Sequence, residues 1–162
     1  MENCTFINSL RNHFFVSISM LERIIEICPD ELWNKKVSGF VFWQQIFHTF
    51  TGGHFWLRTE KTEFEEPFKD KNVYPELEKD PETTLSKDTL RKFCHDTKEI
   101  ADKWFSDKDD NWLKLPSKLS DKVTNYNLMI GQIKHMMYHI GHCEAVFREN
   151  GIETGDYLDY FG

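Results

Sequence analysis

The chain has 162 residues, 40% of them apolar and 15% aromatic. That is enough to bury one substantial core, which excludes disordered, collagen-like and low-complexity classes and predicts a single domain over residues 1–162. Twenty Lys and Arg face twenty-seven Asp and Glu, a net charge of −7, the wrong sign for gripping phosphate backbones or anionic lipid, so neither a nucleic-acid nor a membrane partner is expected.

The Met1-Glu2-Asn3-Cys4 start carries no basic segment or apolar run of a secretory leader, and a soluble, cytoplasmic protein is expected. Cys4, Cys28, Cys94 and Cys143 form no CxxC pair and are read as reduced thiols. From Phe6, the positions Phe6, Leu10, Phe14, Leu21, Ile24 and Cys28 fall on one stripe of a first helix, which Pro29 stops. A capped turn within Asp30–Gly39 leads to a second helix from Phe40 to about Arg58, with Trp43, Phe47, Phe50 and Leu57 inward and Gly52-Gly53 as a weak spot. Residues 60–82 hold nine acidic and four basic side chains with Pro67, Pro75 and Pro81, the composition of a long loop.

Ser86 caps a third helix through Leu90, Phe93, Cys94, Thr97, Ala101 and Trp104. Asp107 to Lys122 reads as an extended or irregular crossover rather than another helix, given Pro116 and the polar setting of Trp112, Leu113 and Leu115. Thr124 caps a last helix reaching Asn150, and Gly151 stands where a left-handed cap is wanted. In the tail, Tyr157, Tyr160 and Phe161 are expected to dock on the body of the protein. Four amphipathic helices with long second and third connections predict an all-α four-helix bundle.

Three of the seven histidines lie within eight residues of the last helix, as His135-x3-His139-x2-His142. At about 100° per residue, His139 lies roughly 40° to one side of His135 and His142 about 20° to the other, so the three form a line. Leu128, Gln132 and Val146 extend that line, Met129, Ile133, Met136, Ile140, Cys143 and Phe147 make a neighbouring apolar stripe, and Asn127, Lys134, Tyr138 and Glu149 take the wet side. Burying adjacent imidazoles leaves donors and acceptors to satisfy, and one divalent cation resolves that cost.

An i, i+4 histidine pair supplies two ligands, and a third has to come from another helix. His48 and His54 project about 120° apart on the second helix, so one of them faces the ion. A lone His48 would be a core residue satisfied by a backbone carbonyl; beside His135 and His139 it is read as the third ligand. His54 falls on the aromatic core stripe, His13 and His95 are read as surface positions, and Met129, Met136 and Met137 as core filler. His142 either supplies a fourth ligand or stands behind the first three. Gln44 and Gln132, one turn from the ligands, are nominated to accept the other ring N–H of a ligating imidazole. No Glu-x-x-His occurs, so a ferritin-like di-iron site is disfavoured.

Trp43-Gln44-Gln45-Ile46-Phe47-His48 together with His135-Met136-Met137-Tyr138-His139-Ile140-Gly141-His142 resembles the DinB-like family of metal-binding four-helix bundles over nearly the whole chain. The resemblance implies that His48, His135 and His139 hold the ion, and it departs at His142, where family members often carry Gln. It further implies thiol-dependent transfer or isomerisation and homodimers, for which Ile130, Gly141 and Ala145 on the last helix offer close packing. The expected cofactor is one divalent ion, zinc or nickel, with iron or manganese as alternatives. Three functional readings follow. The first is an enzyme activating a low-molecular-weight thiol or water against a small electrophile, thiol transferase-like or hydrolase-like. The second is a non-enzymatic, stress-related binding bundle with a structural metal, and the third a metal-free bundle with water-bridged histidines.

Overall fold

The computed structural model describes residues 5–58 and 60–156. Four long helices make up the body: α1 (Phe6–Ile27), α3 (Phe42–Trp56), α4 (Lys87–Phe105) and α6 (Asn125–Glu149). Two short ones, α2 (Asp30–Trp33) and α5 (Asp110–Lys114), lie in the connections. Helix α1 packs on α4 and α6, and α3 packs on the same two, so α1 and α3 stand diagonally across the bundle. The fold is all-α apart from one small hairpin. No helix among the described residues is long and apolar enough to cross a membrane.

The ends of the long helices follow local chemistry. The side chains of Thr5, Ser86 and Thr124 accept from Asn8 N, Thr89 N and Asn127 N at the first turns of α1, α4 and α6, satisfying otherwise orphaned donors. At the far end of α6, Gly151 has φ +69°. Its N–H donates to Arg148 O while Ile152 N–H donates to Phe147 O, the paired bonds of a Schellman cap that a left-handed residue permits. The predicted inward positions of α4 are buried from Leu90 to Trp104, as are Leu128, Met129, Gln132, Met136, Ile140, Val146 and Phe147 of α6. Burial pushes the Cys28 and Cys94 thiols up to about 12, and that of Cys143 up as well, so these groups are neutral core residues.

Three sequence expectations need correction. The second helix begins at Phe42 rather than Phe40, because Phe40–Val41 (β2) pairs antiparallel with Lys36–Val37 (β1). Ser38 and Gly39, at φ +52° and +103°, close that hairpin with the turn whose twist suits short antiparallel strands. Within the crossover expected to be irregular, Asp109 caps the single turn of α5 by accepting from Trp112 N at 2.8 Å. The Asp110 carboxylate in turn accepts from the backbone N–H groups of Phe6 and Ile7, so this turn exists to close the open end of α1. Phe6 is 71% exposed, and Ile7 takes the inward place at that end. Tyr157, Tyr160 and Phe161 lie outside the described residues.

The 60–82 loop is fastened rather than loose. Val73 and Leu85 are buried, and Phe68 packs on Phe47 and Phe93. The Gln44 amide of α3 donates to the carbonyls of Tyr74, Glu76 and Lys79 at 3.0, 3.1 and 2.7 Å. This holds the stretch around Pro75 against α3, next to His48.

Candidate metal centre

Helices α3 and α6 bring His48, His135 and His139 together, with one nitrogen from each within 4.8 Å of the others. His135 and His139 are one turn apart on α6, which brings their rings edge to face on one side of the helix, with centroids 4.8 Å apart. His48 approaches from α3, its Nε2 2.9 Å from His135 Nε2, while His139 Nε2 lies 3.2 Å from that same atom. Nitrogens each bound 2.0–2.1 Å from one ion stand about 2.9–3.4 Å apart for right-angle to tetrahedral arrangements. The observed spacings fall in that interval.

The hydrogen-bond partners fix which nitrogen of His48 is free. Its Nδ1 is 2.7 Å from Pro75 O. A carbonyl only accepts, so Nδ1 carries the hydrogen and a neutral ring leaves Nε2 as a bare lone pair. Burial lowers the pKa of His135, with His48 adding to the effect, and lowers that of His139 to about 3, with His48, His135 and His142 reinforcing it. Both rings are therefore neutral at neutral pH, the form that donates to a metal. One proton on His135 Nε2 can satisfy His48 or His139 but not both, whereas a single cation accepts from all three. The His135 and His139 Nδ1 atoms and Gln132 Oε1 are buried without hydrogen-bond partners among the described residues. The donor set thus fits one divalent ion through its Nε2 atoms, with Nδ1–H groups turned away from it.

Gly52 makes the convergence sterically feasible. It follows His48 by one turn on α3, and a Cβ there would stand 3.1 Å from Cε1 and 3.5 Å from Nδ1 of His135. The position read as a weak spot in the helix is the seat of the His135 ring. His48-x3-Gly52 places both residues on one face, a spacing that carries this signal in the sequence.

The other predicted residues separate. His142 is outside the group of three, and its half-buried ring lies against Phe40 of β2 with centroids 5.4 Å apart. Gln44 spends its amide N–H groups on the loop carbonyls, and Pro75 O, which no sequence pattern marks, holds the His48 ring. Gln132 is buried, and its Oε1 lies 4.0 Å from the same built Cβ at Gly52 that meets His135. His54 turns toward α4: Thr97 Oγ1 donates to Phe93 O, so His54 Nε2–H donates to that hydroxyl at 2.8 Å. Burial lowers the His54 pKa to about 4. His13 and His95 are exposed.

A cleft of about 440 Å³ opens beside His48, walled by α3 and the fastened loop, with Phe55, Trp56, Phe64, Glu66 and Glu76 among its lining. No residue pattern announces this cleft, because half of its wall is loop. No curated protein and no solved structure matches the chain. The DinB family model matches residues 1–160, essentially the whole chain, and the protein belongs to the DinB family.

Proposed function

We propose that His48, His135 and His139 hold one divalent ion, zinc or nickel by preference for three imidazoles, and that the protein is an enzyme acting on a small electrophile in the adjoining cleft. The observation that carries this reading is the convergence of three imidazole Nε2 atoms from two helices beside an open cavity. When bound, such an ion supplies Lewis acidity that draws the proton from a thiol or a water. Three protein donors rather than four is the pattern of an ion that keeps a position for a reactant, and the placement of His142 against Phe40 favours this over a closed structural site.

The chain's own residues have defined tasks in this scheme. Pro75 O orients the His48 ring and keeps its proton on Nδ1. Gln44 anchors the loop that carries that carbonyl. Gly52 leaves room for His135. The aromatic wall of the cleft excludes water from a reactant lying against it.

The test is metal content by mass spectrometry, with absorption spectra of a cobalt-substituted sample. His48→Ala and His139→Ala are each expected to lose stoichiometric metal while keeping most of their helix content, since apolar burial holds the bundle. Full retention of metal in either variant rejects the ligand assignment. Turnover of a thiol with an electrophile, lost on chelation and restored by metal, is expected of the wild type; its absence across a broad electrophile panel, together with a large fall in melting temperature on chelation, moves the assignment to a structural metal.

A further inference from the structure

The cleft beside His48 has a chemistry of its own. Phe55 and Trp56 of α3 and Phe64 of the loop provide an apolar wall, while Glu66, Glu76 and Glu78 provide its charges. Among the described residues, no Lys or Arg belongs to the lining. Lys79 is close enough to act on Glu66, but its ammonium sits over the Tyr74 ring, 3.2 Å from the centroid.

Two features show that the carboxylates act on one space without forming a cage for a bare ion. Glu66 is half-buried, and burial together with the neighbouring Glu76 pushes its carboxyl above the ordinary range, so the charges are held near one another at a cost. Yet among the described residues the only groups of three that bring donor atoms within 4.8 Å are His48, His135 and His139 and, on the surface, His95, Asp96 and Glu99. The cleft carboxylates are spread along a cavity large enough for the body of an organic molecule.

Two further groups stand beside these carboxylates. Thr51, 5% exposed, belongs to the same wall, and its buried Oγ1 has no hydrogen-bond partner among the described residues. Arg58, outside the lining, stacks its guanidinium on Phe55 and Phe64, 4.1 and 5.3 Å from the ring centroids, and its Nε donates to Phe55 O, so the ring faces it covers are already taken and the cleft carboxylates carry the charge preference.

We propose that the substrate seated beside the histidine cluster is an organic cation, an amine or quaternary ammonium on an apolar body, and that the cleft selects against carboxylate-bearing thiols and electrophiles. Its role as substrate rests on the metal-centre reading above; the charge preference of the cleft stands without it. Carboxylates with no basic partner in the lining attract an ammonium and repel a carboxylate, and the aromatic wall accepts either apolar body equally. The discrimination therefore lies in charge.

The experiment compares 4-phenylbutylamine with 4-phenylbutyrate, which share an apolar body, by calorimetry and ligand-observed NMR on the full chain, metal-free and zinc-loaded. The metal-free protein isolates the cleft from direct coordination of the carboxylate. The amine is expected to bind about tenfold more tightly at about 20 mM salt, with the preference shrinking at about 0.5 M. In the Glu66→Gln/Glu76→Gln double variant the preference is expected to fall to about twofold. Equal or tighter binding of the butyrate, an amine preference insensitive to salt, or one unchanged in a folded double variant overturns the proposal. Metal uptake measured on the same samples separates the two readings. Charge preference without metal uptake sinks the metal centre alone, and metal uptake without charge preference sinks the cation site alone.

Discussion

Replacing Gly52 by alanine probes the histidine cluster through a single methyl group. The added Cβ would fall 3.1 Å from His135 Cε1, whereas carbon atoms settle at about 3.5–4.0 Å, so the ring has to retreat by roughly 0.5 Å. Two opposing effects act on global stability. Alanine in a helix interior gains about 0.5–1 kcal/mol over glycine, and overpacking a filled site costs about 1–3 kcal/mol. The net loss is expected to be about 0–2 kcal/mol by urea unfolding of the metal-free protein. The site is less forgiving, because metal–ligand distances tolerate only about 0.2 Å and His135 is the ring whose Nε2 meets both partners. Divalent metal affinity, measured by competition with a chromophoric chelator, is expected to fall by at least about tenfold, or 1.4 kcal/mol. Gly53→Ala is the control, since its Cβ would meet Thr97 Cγ2 at an ordinary 3.7 Å; it is expected to gain about 0.5–1 kcal/mol and leave affinity unchanged. Wild-type loading in Gly52→Ala, or an equal loss of affinity in both variants, refutes the reasoning.

Two further outcomes follow from groups around the site. The pKa of His54 is lowered from 6.5 to about 4 by burial, so between those values the unfolded chain binds the extra proton. Stability therefore rises with pH across that window and is lost as pH falls through it. Chemical denaturation at pH 7 and pH 4 is expected to show that His54→Gln removes about 1–3 kcal/mol of this dependence, and an unchanged pH slope in the variant would count against it. Gln44→Ala removes a fully buried amide that donates to three loop carbonyls. A loss of about 2–4 kcal/mol is expected by urea unfolding, together with weaker metal binding through the loosened Pro75 carbonyl, and wild-type values for both would show that the loop does not depend on this side chain.

The sequence by itself determined what is encoded within a turn or two of helix. Periodic burial marked the four long helices, the Thr124 and Ser86 caps marked two of their starts, and Gly151 marked the end of α6. The i, i+4 spacing put His135 and His139 on one face, and angular position separated His48 from His54. Those signals are local because hydrogen bonds and side-chain overlap in a helix reach only three or four residues along the chain. What the tertiary structure alone decided depends on segments that meet from far apart in sequence: the Pro75 carbonyl on His48, the Gln44 amide on the loop, the room at Gly52 for His135, and Phe40 under His142. The hairpin before α3 and the turn of α5 that closes α1 belong with these, as does the acidic, aromatic cleft. Each is fixed by where two elements come to rest against each other, and loop backbone in particular carries its donors and acceptors whatever its side chains are, so no residue pattern announces which carbonyl will face an imidazole.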